Sequence, residues 1–156
     1  MKLYCHFIYL PFNIIAILIF GFFNMEKIEH IGIAVEDLEK ANSIFKLILG
    51  KSNYKTEYVE SEDVVTSFFD LGESKIELIE SNEKDSHISK FLRNNNSAIH
   101  HIAIKVSDIY FEIKRIKNEG IRVLNEIPKE GADNQLICFL HPKDTLGVLI
   151  ELCQEK

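Results

Sequence analysis

The chain of 156 residues is 46% hydrophobic and 27% charged, the balance of an ordinary globular protein with one core. A formal net charge of −6 opposes general affinity for phosphate backbones, which needs clustered Lys and Arg, so no nucleic-acid partner is expected. Cys5, Cys138 and Cys153 are widely spaced without a C-x-x-C pair, which argues against a disulfide framework or zinc knuckle and fits a reducing, cytoplasmic setting, or the mitochondrial matrix in a eukaryote.

Residues 1–24 differ in kind from the rest. From Leu10 to Phe23 nearly every side chain is apolar, and no acidic residue occurs. A signal anchor, a cleaved signal peptide and an upstream extension of the reading frame compete for this segment. The run is shorter than the ~20 residues of a membrane span, and no A-x-A-like cleavage site precedes Met25. The extension is favoured, with synthesis starting at Met25, no membrane partner, and a single domain over 25–156.

Within that domain HIGIAVEDLEKA, from His30 to Ala41, matches HIAIKVSDIYFE, from His101 to Glu112, without a gap. The chain reads as a duplication. In each copy alternating apolar residues (Ile31, Ile33, Val35; Ile102, Ile104, Val106) predict a half-buried strand, and its other face carries His30 or His101 beside small neighbours.

Asp37 and Asp108 stand where a helix N-cap is wanted. Leu38, Ala41, Phe45 and Ile48 then recur at helical spacing, as do Ile109, Ile113 and Ile116, and Gly50 and Gly120 supply left-handed stops. Short strands follow at Tyr54 to Val59, Val64 to Leu71 and Lys75 to Ile79, and in the second copy near Val123, at Leu136 to Leu140 and at Val148 to Leu152. The expected fold is α+β: two tandem β-α-β-β-β units, about 27–80 and 99–154, joined by a connector at 81–98 with a short helix around Ile88, Phe91 and Leu92.

The closing strands IELIE, from Ile76, and IELCQ, from Ile150, align Glu77 with Glu151, at nearly the same distance from the histidine of each copy. A lone strand histidine or strand-end glutamate is ordinarily a satisfied core or surface group. Here both types recur as pairs, and a carboxylate between apolar neighbours is costly to bury without compensation. If the units pair about a pseudo-twofold axis into one cupped mixed sheet, His30, Glu77, His101 and Glu151 meet. Such a set suits a divalent metal (Co, Mn, Zn, Ni or Fe) with coordination positions left for substrate oxygens.

The remaining histidines fall outside this pattern. Strand alternation puts His100 on the side of Ile102 and Ile104, as a packed or capped residue. His6 lies in the extension, His87 in the connector and His141 in a turn. Glu60, Glu62 and Asp63 read as a solvated turn, and Arg93, Lys129 and Lys143 as surface cations to which no role is given.

A doubled β-α-β-β-β unit with two His and two Glu resembles the vicinal oxygen chelate superfamily over Met25 to Lys156. HIGIAVEDLEKA, HHIAIKV from His100 and FLHPKDTLGVLIEL from Phe139 are most similar to its methylmalonyl-CoA epimerase family. The resemblance implies that His30, Glu77, His101 and Glu151 bind a divalent metal, cobalt foremost; some epimerases carry Gln at the second of these positions. It further implies an acyl-CoA substrate, inversion at C2 through a metal-chelated enolate, no redox cofactor and a homodimer.

Physically, a metal holding the thioester and carboxylate oxygens stabilises negative charge as the C2 proton leaves. Inversion needs acid/base groups on both faces, or one assisted by water. Glu151 is the candidate for one; the other cannot be named, because the strand where some relatives supply it reads Val64, Val65, Thr66, Ser67. A lactoylglutathione lyase or related enzyme and a non-catalytic ligand-binding module are the competing functions.

Overall fold

The computed structural model describes residues 25–156; the reading of residues 1–24 lies outside them. The elements run β1 (Met25–Ala34), α1 (Leu38–Leu49), β2 (Lys55–Val59), β3 (Val64–Asp70), β4 (Lys75–Glu80), α2 (His87–Asn95), β5 (Ala98–Val106), α3 (Ile109–Asn118), β6 (Lys129–Glu130), β7 (Gln135–Leu140), a 3-10 turn (Pro142–Asp144) and β8 (Leu149–Glu155). The strands form one mixed sheet in the order β2-β3-β4-β1-β5-β8-β7-β6. Read outward from the central β1–β5 pair, the two halves are the same: a parallel neighbour (β4 or β8), then two antiparallel strands.

Both long helices begin as their aspartates require. Asp37 accepts a hydrogen bond from the Lys40 amide at 2.8 Å, and Asp108 accepts one from the Phe111 amide at 2.9 Å. Gly50 ends α1 with φ 69°, and Gly120 follows α3 with φ 85°. The buried face of α1 differs by one residue from expectation. Ile48 points to solvent, and Leu49 packs instead with Leu38, Ala41 and Phe45 against Phe69 and Leu78. At about 100° per residue, Leu49 completes three turns from Leu38 and returns to the apolar line, which Ile48 misses.

In the second half Ile109, Ile113 and Ile116 of α3 cover Val106, Cys138, Leu140 and Leu152. The two long helices cover the outer face and leave the inner, concave face to the functional side chains, where α2 adds His87 and Ile88 to the wall. One strand expectation fails: Val123 makes only an isolated bridge to Leu140, and the outer strand of the second half is the two-residue β6. The chain there is held by the Leu124 amide donating to the Phe139 carbonyl and the His141 amide to the Arg122 carbonyl, and by Asn125, whose side-chain amide donates to the carbonyls of Ile127 and Ile137.

Candidate active site

The central strands meet in reciprocal register, His30 opposite Ala103 and His101 opposite Gly32. Each imidazole therefore crosses a residue with little or no side chain. At Gly32 that is a strict requirement, since a Cβ there would lie 2.2 Å from Cε1 of His101. Parallel pairing places Glu77 beside Gly32 and Glu151 beside Ala103, so the carboxylates arrive on the same concave face as the rings.

The four side chains converge. Nε2 of His30 and Nε2 of His101 are 2.9 Å apart. One Glu77 oxygen lies 3.3 Å from the first and 3.4 Å from the second, and the Glu151 oxygens lie 3.8 and 3.7 Å from them. Facing ligand atoms of His30, Glu77 and His101 fall within 4.8 Å of one another. All four residues are at most 6% exposed, so their charges must be balanced from within the cluster.

Burial alone would depress the His30 pKa, but the carboxylates of Glu29, Glu77 and Glu151 outweigh it and push it up to about 10. Burial would raise Glu77, yet the two imidazoles hold its carboxyl well below the usual range. Glu151 goes the other way: burial raises its pKa, and His101 and His30 only partly offset this. Three buried carboxylates around two imidazoles make the pocket one that favours a cation.

Two residues reach this face against the alternation of their strands. Ile28 pairs with Ile104 while His30 pairs with Ala103, and Gly32 pairs with His101 while Ile33 pairs with Ile99. Glu29 and His100 are thus the extra residues of two β-bulges, at equivalent positions of the repeat. The expectation that His100 sits on the side of Ile102 is corrected: it lines the same cavity, its Nδ1 3.1 Å from Nδ1 of His101 and its ring edge-on to Phe91. Glu29, not singled out from sequence, places a carboxylate oxygen 2.5 Å from Nδ1 of His30. Extending the repeat alignment by one residue would have paired these two polar side chains ahead of the histidines.

The cavity holds about 400 Å³, with apolar walls that include Val59, Val64, Ile79, Ile88 and Leu149. Glu62, read as solvated, also lines it, with an oxygen 3.0 Å from Nζ of Lys129, another lining residue. Glu60 and Asp63 do not line it. Thr66 Oγ1 and Gln135 Oε1 are buried against the cavity without a hydrogen-bond partner. His87 lines the cavity, His141 accepts from the Lys143 amide in its turn, and Arg93 is engaged by Asp85.

Residues 29–139 match the Glyoxalase/Bleomycin resistance protein/Dioxygenase superfamily. The mitochondrial methylmalonyl-CoA epimerase of Homo sapiens is 40% identical over 132 residues, 84% of this chain and 75% of that protein. The crystal structure of methylmalonyl-CoA epimerase from Mycobacterium tuberculosis superposes with a TM-score of 0.82 at 30% identity, covering 85% of this chain and 90% of the other. A Streptomyces coelicolor methylmalonyl-CoA epimerase variant in complex with 2-nitronate-propionyl-CoA gives 0.81 at 34% identity, over 84% and 98% of the two chains. With its doubled sheet and convergent His and Glu pairs, the chain belongs to this superfamily and, within it, to the methylmalonyl-CoA epimerase family of isomerases.

Proposed function

We propose that this chain interconverts the C2 epimers of methylmalonyl-CoA, with a divalent cation, cobalt foremost, held by His30, Glu77, His101 and Glu151. The observation that carries the reading is the convergence of those four buried side chains on one point. The donor set fits: two ligands at ~2.1 Å from one ion and at right angles stand about 3.0 Å apart, and the imidazole nitrogens are 2.9 Å apart. Bound there, the cation supplies Lewis-acid stabilisation of negative charge on substrate oxygens.

The C2 hydrogen lies between a thioester and a carboxylate, and inversion requires proton transfer on both faces of the planar carbon. Glu151 is assigned to one face. Glu62 is assigned to the other face. It enters the cavity from the β2–β3 turn of the first unit, whereas Glu151 enters from β8 of the second, and its partner Lys129 leaves it apart from the histidine cluster.

Thr66 and Gln135 offer unpaired polar atoms to orient the substrate, and the apolar walls exclude water from the reacting carbon. No helix among the described residues is long and apolar enough to cross a membrane. A homodimer is expected, and gel filtration showing only monomer would remove it.

The test offers each epimer separately, in deuterated water, to the wild type, Glu151→Gln and Glu62→Gln. Each variant should lose deuterium exchange with one epimer by roughly 10²-fold or more and retain part of it with the other. Wild-type labelling of both epimers by Glu62→Gln would contradict the role of Glu62. Absence of labelling by the wild type would contradict the function.

A further inference from the structure

Outside the four converging side chains, the first half of the site contains a line of charges that no part of the reaction above uses. Glu29 is buried and divides its two oxygens between two partners: Oε2 meets Nδ1 of His30 at 2.5 Å, and Oε1 meets Nζ of Lys75 at 2.5 Å. Lys75 is the residue directly opposite His30 on the parallel neighbour β4. Its ammonium also contacts Asp133 Oδ2 at 2.7 Å, and Asp133 in turn accepts from the Tyr54 hydroxyl at 2.8 Å and from Lys55 at 3.2 Å.

Asp133 belongs to the other half of the molecule. It occupies the turn between β6 and β7, where it and Asn134 adopt left-handed φ values of 51° and 61°, and its backbone amide is engaged by Glu57. The line therefore runs from a strand of the first unit, through a lysine, to a turn of the second that itself lines the cavity. The repeat has no second copy of it, because Glu29 corresponds to His100 and Lys75 to Leu149.

We infer that Glu29 is a positioning residue: it holds Nδ1 of His30 so that Nε2 is aimed into the site, and Lys75 and Asp133 hold Glu29. An imidazole ligand needs its second nitrogen fixed by an acceptor, which sets both the tautomer and the ring orientation. The bulge at Glu29 is what makes this possible, since regular alternation would send the residue before His30 to the opposite face. Using both carboxylate oxygens leaves Glu29 one orientation, and attaching Lys75 to the pocket turn extends the constraint to the cavity wall. This inference rests on the metal reading only in its affinity arm.

The test uses the full chain and two readouts. Imidazole nitrogen–proton spectra recorded without added metal should show a strongly low-field, slowly exchanging Nδ1–H for His30. That signal should be lost or moved upfield in Glu29→Gln and partly restored in Glu29→Asp. Titration with cobalt alone should show an affinity 10- to 100-fold lower for Glu29→Gln and about two- to fivefold lower for Asp133→Asn, with folding checked by far-UV circular dichroism. An unchanged His30 Nδ1–H in Glu29→Gln overturns the inference, as does wild-type cobalt affinity in that variant. If no protein of the set binds cobalt, the metal reading fails, and the spectra still decide the position of His30.

Discussion

The two units place the same His and Glu pair on equivalent strands, but they support their histidines by different physics. His30 is backed by charge, through Glu29, Lys75 and Asp133. His101 is backed by shape: Gly32 leaves room for the ring, Phe139 packs edge-on at a centroid distance of 5.8 Å, and His100 covers its Nδ1 side. Burial, and then the neighbouring His101, push the His100 pKa down to about 4, so this support is neutral near pH 7. The two copies share the His and Glu pair and differ in what surrounds it, and a site with unlike sides suits a reaction that must treat two faces of one carbon separately.

The largest expected effect falls on the residue that both sides share with the chemistry. Glu151→Ala removes a proposed ligand and a proposed acid/base together, and turnover should drop by at least about 10²- to 10⁴-fold, read as loss of C2 deuterium exchange. Next comes the shape-based side. Gly32→Ala places a methyl where the His101 ring lies, and displacing that ring by an ångström is expected to cost about 10²-fold in kcat. The reciprocal change, Ala103→Gly, adds no clash opposite His30; it should cost about 0.5–1 kcal/mol of stability in a thermal or denaturant titration, without a comparable loss of activity. Equal losses of activity in the two variants would break the comparison.

The charged side has its own pH signature. Burial would raise Asp133, but Lys75, Tyr54 and Lys55 outweigh it and bring its pKa to about 2, below the unfolded value near 4. A carboxyl with a depressed folded pKa stabilises the fold above the unfolded pKa, and that contribution is lost as pH falls from about 4 towards 2. Asp133→Asn should therefore flatten the acid-side fall of the melting temperature across that window. The smallest effect is expected at His100: His100→Gln should change cobalt affinity by less than Glu29→Gln does, since the second side does not rely on a charged partner.

Much of this was legible in the chain. The repeat from His30 and from His101 exposed the duplication, and IELIE against IELCQ paired the two glutamates, because equivalent strand positions keep both their period and their neighbours. What escaped had physical reasons. Alternation assumes an unbroken ladder, and the bulges at Glu29 and His100 turn both residues to the concave face, so one was missed and the other misplaced. Glu62 looked like a surface turn because its burial comes from contacts of the second unit, Lys129 among them, far away in sequence. Lys75 and Asp133 gave no sign, since their association depends on how β4 and the β6–β7 turn meet in space. At Val123 the pairing with β7 is a single bridge to Leu140, and a ladder forms only farther on, at Lys129 and Glu130.

On the proposed function, the convergent histidines and glutamates bind a metal that makes C2 of a methylmalonyl thioester exchangeable. Its most direct test follows one epimer of methylmalonyl-CoA in deuterated water, with cobalt-loaded and metal-stripped protein side by side, recording deuterium at C2 and loss of stereochemical purity together. Both are expected with the loaded protein and neither with the stripped one. Stoichiometric cobalt without exchange, or exchange that ignores the metal, would contradict it.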